Sequence, residues 1–531
     1  MKIFNQINIK KPKANKFDLS HEKKLSMNMG DLVPIYLEEV VPGDKFKLSS
    51  EIFIRLAPML APVMHRINVY THYFFVPNRI IWDNWKEFIT GGEDGTVTHD
   101  FPRLHVNDAN KASYTQGKLP DYMGIPVVKT TDTLVNGNYI SALPFRAYQE
   151  IYNEYYRDQN VTPKVAYDKG NDSFGNTLQL TQMRKRAWEK DYFTSALPWA
   201  QRGGDVTLPT TFTPQYNDVS IIKNQDGSSI TGNGSVNYSD SGSPATIGGI
   251  AGPTGNARIE NLSSEQQGVS VTINELRTAT RLQEWLEKNA RGGSRYIEQI
   301  LSHFGVRSSD ARLQRPEYLG GGKNNVVISE VLNQAGDAPT EQQPSNPLAP
   351  VGQQYGHGIS VGKNNGFKRS FEEHGYIIGI MSVLPRTGYQ QGIERTFSKF
   401  DKLDYYWPEF AHLGEQEIKQ REIYFDPAKE DSLNQVTFGY TPRYAEYKYK
   451  QTSVHGEFRQ GGTDPADINL SYWHMARYFA NEPTLSTQFM ESDPKRDIFA
   501  VTDSQVDTLY CQIYNKVSAI RPMPYFGTPY L

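Results

Sequence analysis

The stretch Ile67-Asn-Val-Tyr-Thr-His-Tyr-Phe-Phe-Val76 decides the fold, because it carries the clearest strand pattern in the 531-residue chain. Its β-branched and aromatic side chains favour extended backbone. Alternate positions from Ile67 to Phe75 would share one face of a strand. Pro77 follows and has no backbone donor for a sheet to use. The stretch therefore predicts a strand, and a mainly β fold around it.

Similar runs lie on either side of this strand. Leu32–Val41 and Phe46–Leu56 flank the turn Pro42-Gly43-Asp44 and predict two more strands. Tyr376–Leu384 is a compact apolar run and predicts a buried strand. Val436–Tyr449 alternates tyrosines with charged residues, which predicts a half-exposed strand.

Helices are predicted in the long connections between these strands. Pro144 suits the first turn of a helix that continues with apolar positions to Tyr155. Thr272 and Glu275 form a capping-box pattern before a second helix, and Gly305 would cap a third that starts near Tyr296. Strands near both ends with helices between them fit a β-sandwich that carries large insertions.

Two stretches have the composition of loops. Residues 224–256 contain eight glycines among 33 residues and no Lys, Arg or Glu, so we expect a surface protrusion within residues 210–268. Its candidate exposed residues are Asn224, Gly234, Tyr238, Gly249 and Asn256. The Pro-, Gln- and Gly-rich stretch 334–366 predicts a second, variable loop.

The two ends of the chain are basic although the net charge is -3. Residues 1–24 hold seven lysines against Asp18 and Glu22, and no acidic residue follows position 507. We interpret residues 1–30 as a basic N-terminal arm and residues 508–531 as a basic, aromatic C-terminal arm. Such arms could contact phosphates and unpaired bases, clasp neighbouring copies, or be solvated tails. The candidate nucleic-acid contacts are Lys10, Lys11, Lys13, Lys16, Arg521, Tyr525, Phe526 and Tyr530.

The common catalytic and metal-binding motifs are missing. His21-Glu22-Lys-Lys-Leu25 lacks the second histidine of a zinc-binding helix, and Gly320-Gly-Gly-Lys323 lacks the spacing of a phosphate loop. Cys511, the single cysteine, lies on an apolar run and is predicted to be a packed thiol. Carboxylates at 401, 404 and 409 stand beside Tyr405-Tyr406-Trp407, which leaves a sugar-binding or glycosidase site open. We expect no cofactor and no bound metal.

The start of the chain lacks the apolar core of a signal peptide, and no apolar run approaches the ~20 residues that span a bilayer. With one cysteine the fold does not depend on an oxidising compartment. We therefore expect folding in a cytoplasm and no membrane insertion.

Several blocks, in order along the chain, resemble the major capsid proteins of the Microviridae, especially the gokushovirus-like branch. Among the more specific are Asp191-Tyr-Phe-Thr-Ser-Ala-Leu-Pro-Trp199 and Ala290-Arg-Gly-Gly-Ser-Arg-Tyr296. The others are Phe17–Leu25, Leu32–Pro34, Glu39–Asp44, His72–Ile80, Trp82–Trp85, Leu143–Tyr148, Tyr156–Asn160, His303–Val306, Phe438–Tyr440, Arg443–Lys448 and His455–Glu457.

The resemblance implies a viral eight-stranded jelly-roll β-sandwich over residues 31–531, with long helix- and loop-containing insertions. It implies a structural protein, not an enzyme, that forms a T=1 icosahedral shell around the circular single-stranded DNA of a bacteriophage. The implied partners are further copies of the chain, the DNA genome, an internal scaffolding protein, a DNA pilot protein and a host cell-surface receptor. The expected location is the virion, assembled in the bacterial cytoplasm. A secreted jelly-roll carbohydrate-binding protein and an enzyme stay open as alternatives.

Overall fold

In the computed structural model the described residues are 13–129, 131–134, 138–171, 177–204, 206, 221–223, 235–237, 246–248, 258–260, 273–293, 295–332, 354–460, 469–501, 503 and 505–526. The strands are β1 Asn15–Asp18, β2 His21–Met27, β3 Val33–Val40, β4 Lys45–Leu56, β5 Ile67–Pro77, β6 Arg103–Val106, β7 Asn138–Ser141, β8 Ile221–Lys223, β9 Ser235–Asn237, β10 Thr246–Gly248, β11 Arg258–Glu260, β12 Glu317–Asn325, β13 Val327–Leu332, β14 Gln354–Ser370, β15 Gly375–Pro385, β16 Glu415–Lys419, β17 Thr437–Pro442 and β18 Leu509–Arg521.

The helices are shorter on average than the strands and lie between them. They are α1 Asn78–Ile81, α2 Trp85–Thr90, α3 Leu119–Tyr122, α4 Leu143–Ile151, α5 Thr177–Thr181, α6 Ile273–Gly292, α7 Tyr296–Phe304, α8 Gln420–Ile423, α9 Asp431–Asn434, α10 Ala445–Lys448 and α11 Thr487–Met490. A π-helical turn, Tyr152–Tyr156, continues α4. Short 3-10 turns lie at Lys111–Tyr114, Arg395–Ser398, Lys402–Asp404, Pro408–Phe410, Gly456–Phe458 and Ser471–Trp473.

Two antiparallel sheets carry the main body. In sheet I, strands β1 and β2 both pair with β18, and the order continues through β4 and β14 to β13. In sheet II the order is β3, β15, β5, β12. One apolar core takes buried side chains from both sheets, such as Phe46 and Ile513 from sheet I and Val69 and Ile377 from sheet II. The prediction of a mainly β sandwich is confirmed.

The strand pairs are nested, the earliest strands with the latest. The pairs are β1 and β2 with β18, β3 with β15, β4 with β14, and β5 with β12. Successive strands of this series alternate between the two sheets, apart from β5 and β12, which are neighbours. A single antiparallel ribbon rolled into two sheets gives this order, and we infer a jelly roll from it.

A buried polar chain crosses the core between the sheets. Tyr73 of sheet II donates its hydroxyl to Ser50 Oγ of sheet I at 2.6 Å, and Ser50 Oγ donates to Asn515 Oδ1 at 2.6 Å. Asn515 Nδ2 in turn donates to the carbonyl of Ile35 at 3.3 Å. These polar atoms satisfy one another, so their burial carries a small penalty.

Sheet II is covered on its outer face as well. Phe74 of β5 and Ile378 of β15 belong to a second core. They share it with Trp82, Phe145 and other apolar residues of the connection between β5 and β12, which we call the first insertion. The prediction of a helix from Pro144 is confirmed by α4, and the predicted third helix is confirmed by α7, which ends at Gly305 with a φ of 67°. Sheet II is therefore the middle layer of the main body.

The interpretation of both chain ends as arms was wrong for three stretches. Within residues 1–30, β1 and β2 are strands, and within residues 508–531, β18 is the strand between β4 and the N-terminal pair. The cause is the alternation of buried residues along β18, for example Leu509, Cys511 and Ile513, which places one face on the core. Cys511 is buried there, so the predicted packed thiol is confirmed.

Two other predictions are corrected. Residues 354–366 of the predicted loop 334–366 belong to β14, and residues 334–353 lie outside the described part. A Cβ on Gly356 or Gly366 would lie 2.3 Å from the Ala61 carbonyl oxygen or 2.2 Å from that of Leu48, so these glycines permit close strand packing. The predicted strand Val436–Tyr449 stops at β17, because Tyr444 adopts a φ of 61° and α10 follows.

Residues Gly203–Leu286 form a separate compact unit. Two small antiparallel pairs lie in it, β8 with β11 and β9 with β10. The candidate surface residues Asn224, Gly234, Tyr238, Gly249 and Asn256 all lie outside the described residues.

Candidate nucleic-acid interface

The outer face of sheet I is exposed, because buried and exposed residues alternate along β4 and β18. Strand register sets the outward side chains in rows across the sheet. One row runs Lys16, Ile520, Lys45, and the next runs Ser518, Lys47, Lys368. A third row contains Lys516 opposite Ser49. We call the exposed lysines Lys16, Lys45, Lys47, Lys368 and Lys516 the basic face.

The charges of the basic face are not neutralised locally. Within the described part of the chain none of its five lysines forms a direct ion pair, and Lys47 stands directly opposite Lys368. Like charges in facing positions destabilise a sheet. Asp18 lies at the edge of these rows, and its pKa is lowered first by hydrogen bonds from Ser20 and then by Lys16 and Lys516. The arrangement favours the approach of an anion.

A surface cleft of about 950 Å³ opens at this end of the sheet. Lys16, Lys45, Lys47 and Lys368 line it together with the ring of Phe371. Three acidic residues also line the cleft, namely Glu317, Glu372 and Glu373. Glu317 pairs with Arg369, itself a cleft residue, at 3.4 Å, and Glu373 pairs with Arg79 at 2.6 Å. Phe371 is 4% exposed, so the feature of the cleft that suits a nucleic acid is its lysines, which bind phosphates without regard to sequence.

The sequence-predicted contact residues fall into four groups, of which Arg521 alone forms the last. Lys16 belongs to the basic face, and beside it Tyr525 donates its hydroxyl to the Lys16 carbonyl at 2.5 Å and packs its ring 5.2 Å from Phe17. Phe526 is 83% exposed, and Lys13 is exposed just before β1. Lys10, Lys11 and Tyr530 lie outside the described residues.

Arg521 has a different environment. Its guanidinium donates to Glu38 Oε1 and to the Glu39 carbonyl, both at 2.8 Å, and its Nε lies 3.5 Å from Asp44 Oδ2. Burial raises the pKa of the Glu38 carboxyl, which Arg521 counteracts. Arg521 therefore ties the end of β18 to the β3–β4 turn, and its charge is compensated within the subunit.

Four lysines of the basic face were missed by the sequence analysis: Lys45, Lys47, Lys368 and Lys516. The signal that identifies them is the alternation of the strands that carry them, since every second residue of β4 and β18 is buried. Lys368 lies on β14, most of which was predicted to be a loop because of the glycine-rich sequence just before Lys368.

A larger cavity, about 1110 Å³, lies against the outer side of sheet II. His72 lies in its wall and contacts the Tyr156 hydroxyl at 2.8 Å; burial and then Arg186 lower the pKa of His72 to about 4. Two carboxylates of the cavity wall form ion pairs: Glu189 pairs with Lys323 at 3.6 Å, and Glu298 pairs with Arg295 at 3.2 Å. The Glu189–Lys323 pair joins the connection that carries Glu189 to β12 of sheet II, while the Glu298–Arg295 pair is local to the start of α7.

The carboxylates beside the aromatic run stabilise a turn. Asp404 accepts the backbone N–H groups of Phe400 at 2.9 Å and Asp401 at 2.8 Å, and these bonds lower its pKa. Asp401 accepts the N–H of Lys402 at 2.6 Å. A glycosidase acid needs a raised pKa, so Asp404 has the wrong environment for that role.

Two further kinds of site are absent from the described part of the chain. No group of three or more His, Cys, Asp or Glu side chains there could hold a metal ion. No helix among them is long and apolar enough to cross a membrane.

A protein-family model described as capsid protein (F protein) matches residues 5–531. The chain belongs to the capsid protein (F protein) family. This capsid protein is 35% identical to the capsid protein VP1 of Chlamydia phage 1, over 99% of this chain and 97% of the relative. It is also 35% identical to capsid protein VP1 of Bdellovibrio phage phiMH2K, over 97% of this chain and 95% of the relative.

A third relative of this capsid protein is the capsid protein VP1 of Spiroplasma virus 4, at 30% identity over 97% of this chain and 95% of that protein. The resemblance to Microviridae capsid proteins is confirmed by these matches. The role that follows is structural: a subunit that assembles into the capsid shell of a virion.

Proposed function

We propose that this capsid protein assembles into a T=1 icosahedral shell that encloses the circular single-stranded DNA of a bacteriophage, with the basic face turned toward the genome. The observation that carries the genome side of the proposal is the basic face itself. Five exposed lysines, none of them in an ion pair within the described part of the chain, lie on three adjacent rows of one sheet, and four of them line a cleft.

A shell has to hold its genome whatever the local base sequence. Lysine ammonium groups suit this task because they attract phosphates without reading bases. The exposed ring of Phe526, next to Tyr525 and Lys16, offers a stacking surface that accepts every base. The binding we propose is therefore sequence-independent and sensitive to salt.

The other partners rest on the family resemblance. We propose that an internal scaffolding protein and a DNA pilot protein join the shell during assembly in the bacterial cytoplasm, and that the region 210–268 contributes a protrusion that meets a host receptor. The role is structural, and no catalytic step is part of the proposal.

The genome contact is tested by replacing three lysines of the basic face. The variant is Lys45→Gln, Lys47→Gln and Lys368→Gln, and the control is Lys86→Gln, Lys118→Gln and Lys129→Gln, which changes three exposed lysines elsewhere by the same charge. Binding of a labelled oligothymidylate to unassembled subunits is measured from low to moderate salt. Each lost phosphate contact lowers the log–log salt slope by roughly 0.7, so the test variant loses about 2 and the control keeps its slope.

Equal slopes for both variants would contradict the genome contact. The shell itself is tested separately by electron microscopy of particles assembled in the host. Uniform closed T=1 shells with sheet I on the inner wall are expected. Closed shells with the basic face on the outer surface would refute the DNA orientation and leave the shell role standing.

A further inference from the structure

A 17-residue segment after sheet II exposes an unusual amount of apolar surface. We call residues 397–413 the aromatic segment. Seven of its eight large apolar side chains, all but Phe410, are about half exposed or more: Phe397 71%, Phe400 81%, Leu403 49%, Tyr405 54%, Tyr406 51%, Trp407 46% and Leu413 61%. A monomeric protein gains nothing from holding so many rings in water.

The aromatic segment is fixed by polar contacts and not by a core of its own. Asp404 accepts the N–H groups of Phe400 and Asp401, and Trp407 donates its indole N–H to the Lys402 carbonyl at 2.8 Å. Trp407 also donates its backbone N–H to the Tyr444 hydroxyl at 3.3 Å. The rings are thus presented in a defined arrangement before any partner arrives.

One buried cation, Lys399, ties this segment to α10. The Lys399 ammonium lies 3.9 Å from the ring centre of Tyr447, donates to its hydroxyl at 2.7 Å and pairs with Glu446 at 3.6 Å. Tyr406 packs against Tyr444 with ring centres 4.9 Å apart. Preorganisation of this kind lowers the entropic cost of forming an interface.

The exposed area matches one side of a stable protein interface. With about 200 Å² for each large apolar side chain, the fractions above leave roughly 800 Å² exposed. Monomers rarely show a continuous patch above a few hundred Å², and a standard interface covers about 800 Å² per partner. Charged residues of both signs, such as Asp401, Lys402 and Glu409, are exposed within the same segment and would supply a polar rim.

We propose that the aromatic segment is a contact surface for a second copy of this chain within the shell. The inference rests on the proposed function, because a closed shell supplies many copies at a fixed contact and requires each to cover apolar surface. Phe397 and Phe400, the most exposed rings, are the anchors of the contact. Their burial excludes water from the Asp404 turn and holds neighbouring copies together.

The first experiment compares two double variants of the full chain. Phe397→Ser with Phe400→Ser removes the anchors, and Met64→Ser with Leu178→Ser removes two side chains of similar exposure, 71% and 65%, outside the aromatic segment. Closed particles are counted after expression with the other virion proteins, and urea unfolding of the unassembled subunit is followed in parallel. The anchor variant is expected to lose at least tenfold in particle yield with an unchanged unfolding midpoint.

The results separate the inference from the function it rests on. If the parent chain forms no closed shells, the proposed function fails. If the parent forms shells and the anchor variant forms them equally well, the contact is refuted and the shell role stands. A matching loss in the control variant also refutes the specific role of the aromatic segment.

The second experiment identifies the occupant. Glu409→Cys places a reactive thiol in the exposed rim of the segment and keeps both anchors, while burial raises the pKa of Cys511 to about 12 and keeps that thiol unreactive. A thiol-linked photo-crosslinker at position 409 is activated in assembled particles. Crosslinks between two copies of this chain are expected. Crosslinks predominantly to another virion protein, or to none, would overturn the proposal.

Discussion

Sheet I and sheet II differ in what lies on their outer faces. In sheet II the strands β5 and β15 are buried on both sides, with His72 the half-buried exception on β5, because the first insertion packs α1 and α4 over them. In sheet I the strands β4 and β18 alternate between buried and exposed residues. The difference shows that the first insertion packs on sheet II, while the outer face of sheet I stays accessible to a ligand.

The largest effect expected from this comparison is on stability. Phe74→Ala removes a ring that is 1% exposed and packs 4.7 Å from Tyr155, so it should destabilise the fold by about 3–5 kcal/mol. Phe53→Ala, on the outer face of sheet I, should cost less than about 1 kcal/mol. Urea unfolding of both variants checks the two values. Equal losses in the free energy of unfolding would contradict the difference in burial between the outer faces of sheet I and sheet II.

The polar chain between the sheets gives a smaller effect. Ser50→Ala leaves the Tyr73 hydroxyl and the Asn515 side chain without their shared partner inside the core. The expected loss is about 1–3 kcal/mol. Ser49→Ala, at the neighbouring outward position of the same strand, is the control and should be near neutral in the same unfolding assay.

Strands with a plain apolar pattern could be predicted from the sequence, and strands rich in charged residues or glycine could not. β3, β4, β5 and β15 were predicted because their apolar runs are continuous or cleanly alternating. β18 was predicted to be part of an arm because its lysine, tyrosines and arginine give it a basic, aromatic composition, although apolar residues occupy its alternate, buried positions.

The remaining errors also have physical causes. Glycines that permit close packing along β14 resemble loop composition when read in sequence alone. Tyr444 turns the chain through a left-handed conformation that its residue type does not favour. The basic face joins residues about 500 positions apart, such as Lys16 and Lys516, and no local pattern indicates that proximity.

The free energy of unfolding should depend on pH, by an amount on the order of 1 kcal/mol, through Asp31, which lies just before β3 of sheet II. Burial raises the pKa of Asp31 from 3.8 to about 6, and Lys185 opposes the shift. Because the folded pKa lies above the unfolded one, the stabilising contribution is complete below about pH 4 and disappears as the pH rises through 6. Asp31→Asn, which mimics the protonated form, should match the parent near pH 4 and exceed its unfolding midpoint at pH 7; parallel pH profiles would contradict this.

The smallest expected effect is a gain in the free energy of unfolding, and it comes from the basic face. Lys47→Gln removes a positive charge that stands opposite Lys368, so the fold should gain a few tenths of a kcal/mol at low salt. The same change should weaken oligothymidylate binding. Unfolding at low and high salt checks the gain, and a loss of stability at low salt would show that Lys47 has an unrecognised favourable role.

The position of β18 in sheet I has a consequence for synthesis. β4 and β18 are partners, yet about 450 residues separate the end of one from the start of the other. At about 5–20 residues per second, a ribosome needs roughly 20 to 90 seconds to make the intervening chain. During that interval β4 has an open edge, and the basic face does not yet exist. The sheet that carries the basic face is therefore completed only after almost the whole chain has been made.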